Sequence, residues 1–225
     1  MDRDLAGLID HTLLKPEATQ PQIEALCGEA VEYGFAAVCV SGTWVPLAVS
    51  AVSGSPVKVA CVAGFPLGAA STAAKVCEAE DSAANGAAEV DVVMNVGALR
   101  SGRSPEVEAD LFQVVQAVQG RSIVKVILEC ALLNDAEKVH ACQLAESAGA
   151  AFVKTSTGFG PGGATVEDVA LLRRSVGPDT GVKASGGIRT REAAMAMVAA
   201  GATRLGTSSS VAIVTLPDEA PTPDA

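Results

Sequence analysis

Short aliphatic runs rich in valine and isoleucine alternate along this chain with longer, alanine-rich stretches whose apolar residues recur every three or four positions. The short runs predict strands at 8–12, 37–40, 57–63, 89–94, 123–129, 151–155, 181–185 and 203–206. The longer stretches predict helices near 20–33, 43–53, 70–86, 105–119, 134–148, 165–176 and 190–200, with a last helix opening near Ser208. Runs that are apolar on both faces suit parallel strands covered by helices. Alternating β and α signals imply crossover connections between such strands. Eight repeats of this kind fit a closed (β/α)8 TIM barrel, which takes roughly 200 to 250 residues. The count alone leaves an open sheet as the alternative. The punctuation agrees: Thr190 is placed to cap a helix, and Gly149 and Gly201 to end two others. One barrel domain is therefore expected over 1–214. The acidic, proline-rich 215–225 segment is expected to be a disordered tail.

Composition narrows the partners. Of the 225 residues 49% are hydrophobic but only 3% aromatic, so the core must be aliphatic. A net charge of −10 repels nucleic acid and anionic membranes, and neither is expected as a partner. A small anionic substrate stays compatible if cations or helix N-termini meet it locally. The six cysteines are never closer than twelve residues, which excludes CxxC spacing. With no signal-like N-terminus and no long apolar run, the expectation is a soluble protein of a reducing cytoplasm with free thiols. Two histidines far apart in sequence, His11 and His140, form no recognisable metal motif, so no metal is expected.

Charge inside the predicted strands changes the picture. Asp91, Lys125, Lys154 and Lys183 interrupt strands 4 to 7, and Asp10 does the same in strand 1. Ionisable residues are rarely buried without a partner. In strand 4, Val90, Val92 and Met94 form an all-apolar face that should meet the helices. Asp91 then points into the barrel. Phe152 and Lys154 share one face of strand 6, and Lys154 and Lys183 sit on neighbouring strands, a few Å apart if both point inward. A lone strand lysine is ordinarily a snorkelling residue. Three lysines and an aspartate on consecutive strands leave two readings, a structural ion-pair network or a catalytic one.

Two adjacent lysines have a specific chemical use. At pH 7 only about one free lysine in 10³ is the neutral amine. A second cation about 4 Å away, at an effective dielectric constant near 20, opposes protonation by roughly 4 kcal/mol, and burial acts in the same direction. The amine so produced condenses with a carbonyl to give a Schiff base. Two loops suit a phosphate. Ser185-Gly186-Gly187 follows strand 7 and Gly206-Thr207-Ser208-Ser209 follows strand 8, where barrels usually bind phosphate.

The motifs IDHTLLKP (9–16), VKVACVAGFPLGA (57–69), EVDVVMNVGAL (89–99), VKVILE (124–129), FVKTSTGF (152–159), VKASGGIRT (182–190) and RLGTSSSVAIV (204–214) resemble, in order, those of the deoxyribose-phosphate aldolase (DeoC) family. The resemblance implies reversible cleavage of 2-deoxy-D-ribose 5-phosphate to acetaldehyde and D-glyceraldehyde 3-phosphate, without metal or organic cofactor. It implies Lys154 as the Schiff-base lysine and Lys183 as the second lysine, which perturbs the first and takes part in proton transfer. Asp91 is implied as the carboxylate acting with water as general acid and base. Asp10 and Lys125 are implied as supporting charges, and Gly186, Gly187, Ser208 and Ser209 as the phosphate grip. A homodimer or homotetramer is implied too. Ser210 stands where many relatives have glycine, a change expected to tighten the phosphate loop. Cys39 is expected near the pocket as a bystander. Two alternatives stand beside this: a Schiff-base aldolase for another phosphorylated sugar, and a silent barrel that only binds a sugar phosphate.

Overall fold

The computed structural model describes residues 2–215. Eight parallel strands close into a barrel in chain order, which settles the choice between closed and open sheets. They are β1 (Ile9–Thr12), β2 (Ala37–Val40), β3 (Lys58–Ala63), β4 (Glu89–Val93), β5 (Ile123–Ile127), β6 (Phe152–Lys154), β7 (Gly181–Ser185) and β8 (Arg204–Thr207). The helices are α1 (Arg3–Ala6), α2 (Gln20–Tyr33), α3 (Val45–Ala51), α4 (Thr72–Ala84), α5 (Val96–Arg100), α6 (Ser104–Val118), α7 (Asp135–Ser147), α8 (Val166–Ser175), α9 (Arg191–Ala199) and α10 (Ser210–Thr215).

Several expectations shift. The helix predicted at 43–53 splits into a 3-10 turn at Gly42–Trp44 followed by α3, with a proline in the first turn of the α-helix. The helix expected from Ser208 begins at Ser210, and the short α1 and α5 carried no clear periodicity. Strand 5 stops at Ile127, because Glu129 adopts a left-handed backbone that cannot continue a strand. The expected tail, past Thr215, lies outside the described residues.

Alternation along each strand divides the core. Val38, Val40, Val59, Val90, Val92, Val126, Val153 and Leu205 belong to one large buried cluster shared with the helices. A second, smaller cluster of Leu14, Ala37, Cys39 and Ala60, with Val62 and Phe65 against it, fills the barrel interior on the β2–β3 side. The opposite side of the interior is occupied by charge. Register sets this up: Asp91 pairs with Lys125 across β4–β5, and Lys154 with Lys183 across β6–β7.

Candidate active site

The charged half of the interior is layered. At its base Arg204 Nη1 reaches Asp10 Oδ1 at 2.7 Å and Glu89 Oε2 at 3.0 Å, while its guanidinium lies 5.4 Å from the Phe152 ring centre. Lys125, fully buried, bonds Glu89, Asp91 Oδ1 at 2.9 Å and Asp10 Oδ2 at 3.3 Å. Above it Lys183 bonds Asp10 Oδ2 and, at 2.8 Å, Asp91 Oδ2. Lys154 Nζ donates to that same Asp91 oxygen, also at 2.8 Å. The two expected lysines thus point inward and share one carboxylate oxygen. Gly206 makes this possible, since a Cβ there would lie 3.0 Å from Lys183 Cε.

Counting charge decides which proton is weakest. Lys125, Lys154, Lys183 and Arg204 face Asp10, Glu89 and Asp91, four cations against three carboxylates. One cation is in excess, and removing a single proton balances the cluster. Burial opposes the charge on Lys183, but Asp10 and Asp91 outweigh it and hold its pKa above the ordinary lysine value. The same opposition raises Lys125 through Asp10 and Asp91. For Lys154 burial is the largest effect, and the Lys183 ammonium adds to it. Together they overcome Asp91 and lower the Lys154 pKa. Burial therefore leads, and the second lysine, expected as the main cause, reinforces it. Burial pushes the Asp91 carboxyl up, yet Lys125, Lys154 and Lys183 together hold it well below the usual carboxylate range. Asp10 is lowered likewise by Lys125, Lys183 and Arg204 against the burial effect.

A cavity of about 400 Å³ opens above this cluster at the C-terminal ends of the strands. Of the four cations in the cluster only Lys154 lies in its wall; Lys183, Asp91, Asp10 and Lys125 sit beneath. The rest of the wall comes from the last residues of β1, β7 and β8 and from the loops after β1, β6, β7 and β8. Gly186, Gly187 and Ser208 are on it, as expected for an anion grip, and both glycines have left-handed backbones. Ser209 is not among the wall residues, and its backbone N–H donates to Thr207 Oγ1 at 3.0 Å. That N–H is engaged within the loop. Ser210 is buried, donates to Thr207 O at 3.1 Å and meets His11 Nδ1 at 2.9 Å, which ties the loop to β1. Cys39 is buried beneath the cavity, and burial raises its thiol pKa, so it remains an uncharged neighbour.

The sequence reading missed two exposed cations on the cavity wall, Lys15 and Arg189. Both stand in the quoted motifs, just past the ends of β1 and β7, and that position was the available signal. It also passed over Glu89 and Arg204, although strand alternation puts Glu89 on the Asp91 face. Among the described residues no group of three or more His, Cys, Asp or Glu side chains is placed to hold a metal ion.

Residues 5–213 match the model of the DeoC/LacD family of aldolases. The chain belongs to that family. It is 57% identical over 214 residues to a deoxyribose-phosphate aldolase of Geobacillus sp. (strain WCH70), covering 95% of this chain and 96% of that protein. A deoxyribose-phosphate aldolase of Bacillus cereus (strain AH187) is also 57% identical, over 211 residues, 94% of this chain and 95% of the relative. Among solved structures, the tetrameric deoxyribose phosphate aldolase of Aeropyrum pernix superposes with a TM-score of 0.88 at 37% identity, over 94% of this chain and 89% of that one. Membership extends over the whole barrel, including every strand that contributes to the charged interior and every loop that lines the cavity. No helix among the described residues is long and apolar enough to cross a membrane.

Proposed function

We propose that this protein is a class I aldolase that cleaves 2-deoxy-D-ribose 5-phosphate reversibly to acetaldehyde and D-glyceraldehyde 3-phosphate. The observation that carries the reading is that Lys154, alone among the buried cations, faces the cavity while its amine shares Asp91 Oδ2 with Lys183. An amine that is buried, in a cluster with one surplus cation, gives up its proton more readily than an ordinary lysine and so is the one suited to act as a nucleophile.

In this mechanism neutral Lys154 adds to C1 of the open-chain sugar, and loss of water leaves an iminium. The iminium draws the electron pair of the C2–C3 bond. Asp91, acting with water, takes the C3 hydroxyl proton as that bond breaks, and glyceraldehyde 3-phosphate departs. The remaining enamine is protonated at C2, and hydrolysis releases acetaldehyde and the free amine. Lys183 is the persistent cation that keeps Lys154 neutral and relays protons through the shared oxygen. Asp10 and Lys125 hold Lys183 and Asp91 in place. The substrate phosphate sits against the backbone of Gly186 and Gly187 and the hydroxyls of Ser208 and Ser209. Lys15 and Arg189 supply the local positive charge that an enzyme of net charge −10 needs to attract an anionic sugar. Every step uses groups of the chain and water, so metal and organic cofactor have no role in it. We read the protein as a cytoplasmic homo-oligomer, a dimer or tetramer, by analogy with the tetrameric Aeropyrum relative.

Borohydride reduction in the presence of acetaldehyde tests the reading. A two-carbon adduct on Lys154, located by peptide mass spectrometry, is expected. An unmodified Lys154, or an adduct elsewhere only, rejects it. An adduct formed only with a different phosphorylated sugar would favour an aldolase of other specificity.

A further inference from the structure

Glu129 is the one non-glycine residue with positive φ among the described residues, at φ 55° and ψ 62°. Side chains other than asparagine, aspartate or glycine adopt this backbone only when the surroundings impose it. The turn lays its side chain beneath the loop after β6. There Oε2 accepts the hydroxyl of Thr157 and, at 3.3 Å, the Thr157 backbone N–H. Thr157 Oγ1 in turn accepts the Phe159 N–H at 3.1 Å. The loop closes so tightly that a Cβ on Gly160 would lie 2.7 Å from the Glu129 carboxyl carbon. The carboxylate is buried, and its second oxygen, Oε1, has no hydrogen-bond partner among the described residues.

A strained backbone and an unpartnered buried oxygen both cost stability. Packing alone would be served better by an aliphatic side chain at this place. What the carboxylate provides is an anchor for a segment that contains Gly158, Gly160, Gly162 and Gly163 and has much chain entropy to lose. The two residues tied to it, Thr157 and Phe159, both line the cavity beside Lys154, and the Phe159 ring meets Phe65 edge-on at 5.3 Å.

We propose that Glu129 is a positioning residue, whose carboxylate anchors the loop after β6 and thereby sets Thr157 and Phe159 in the wall next to Lys154. The inference rests on the aldolase reading for its kinetic readout only; the structural readout is independent of it. In Glu129→Ala, amide hydrogen exchange across 156–163 rises by about tenfold or more as local opening becomes easier. Its kcat/KM for deoxyribose 5-phosphate falls about 100-fold as the wall is misplaced. Glu129→Gln keeps an oxygen acceptor for Thr157, so it retains slow exchange and most of the activity. Thr157→Val costs less in Glu129→Ala than in the parent, because the two act through one contact. Unchanged exchange at 156–163 together with kcat/KM within about threefold of the parent in Glu129→Ala overturns the proposal. So does a Glu129→Gln as impaired as the alanine variant. Should the alanine variant not fold, Glu129→Gln and Thr157→Val decide: the first must keep the loop protected and the second must release it. An active Lys154→Leu would remove the aldolase reading and leave the exchange result standing.

Discussion

Lys75 and Lys154 are both buried and bonded to a carboxylate at nearly the same distance, yet their surroundings differ. Lys75 on α4 meets Asp110 Oδ2 on α6 at 2.7 Å, outside the barrel, and Thr72 donates to the other Asp110 oxygen at 2.7 Å. Each charge there has one counter-charge. Lys154 meets Asp91 Oδ2 at 2.8 Å, but shares that oxygen with Lys183 in a cluster where cations outnumber carboxylates. The second arrangement lowers the pKa of its lysine. What sets Lys154 apart from Lys75 is that its surrounding charge is short of one anion and that it lies in the cavity wall.

Lys154→Leu offers the hardest test of this contrast. It should reduce turnover by about 10⁴-fold or more, since no other group replaces a covalent nucleophile. The thermal midpoint should stay near the parent value, because removing Lys154 leaves three cations on three carboxylates. A large loss of stability, measured by circular dichroism melting, would contradict the charge count.

Lys183→Leu comes next. It removes the cation that favours proton loss from Lys154 and leaves Asp91 less compensated, and both changes raise the Lys154 pKa. We expect kcat/KM to fall about 10³-fold at pH 7, with the acid limb of the pH–rate profile moved to higher pH. A profile that keeps its position would show that Lys183 does not act on Lys154.

For Lys75→Leu the pattern reverses. Leaving Asp110 buried without its cation should cost about 3–5 kcal/mol of stability in denaturant titration. Activity per folded molecule should remain within about threefold of the parent, because no cavity residue is touched. Much of the lost stability should return in Lys75→Met/Asp110→Leu, in which no charge is left unpaired.

The smallest effect is on stability against pH. The folded-state pKa of Lys154 lies below the ordinary 10.5, so the unfolded chain binds more protons between the two values. Its contribution to stability consequently rises with pH across that window. The difference in unfolding free energy between parent and Lys154→Leu should show this rise. A flat difference would mean that Lys154 keeps its proton in the folded state.

The contrast also marks where the sequence was readable. Lys154, Lys183, Lys125 and Asp91 sit in strands whose alternate residues are uniformly apolar, so each announces its own inward direction. Lys75 lies in an amphipathic helix among polar neighbours, where a buried lysine and a solvated one look alike. Glu129 reads as the last residue of a strand, since nothing in the run VKVILE signals a left-handed turn. Lys15 and Arg189 are loop cations whose place on the wall depends on how the loops fold. Ser208 and Ser209 look alike in a run of three serines, and only the folded loop puts Ser208 on the cavity wall and ties the Ser209 N–H to Thr207.

By itself, the sequence determined the eight βα repeats, the inward direction of Asp91 and the placement of Lys154 and Lys183 on neighbouring strands. These follow from periodicities of two and 3.6 residues, which are local properties of the backbone. Tertiary structure alone decided that the sheet closes, that two amines share one oxygen, and that burial contributes more than the second lysine to lowering the Lys154 pKa. Those outcomes depend on distances between residues far apart in the chain and on which of them water can reach. Neither quantity is encoded in any short stretch of residues.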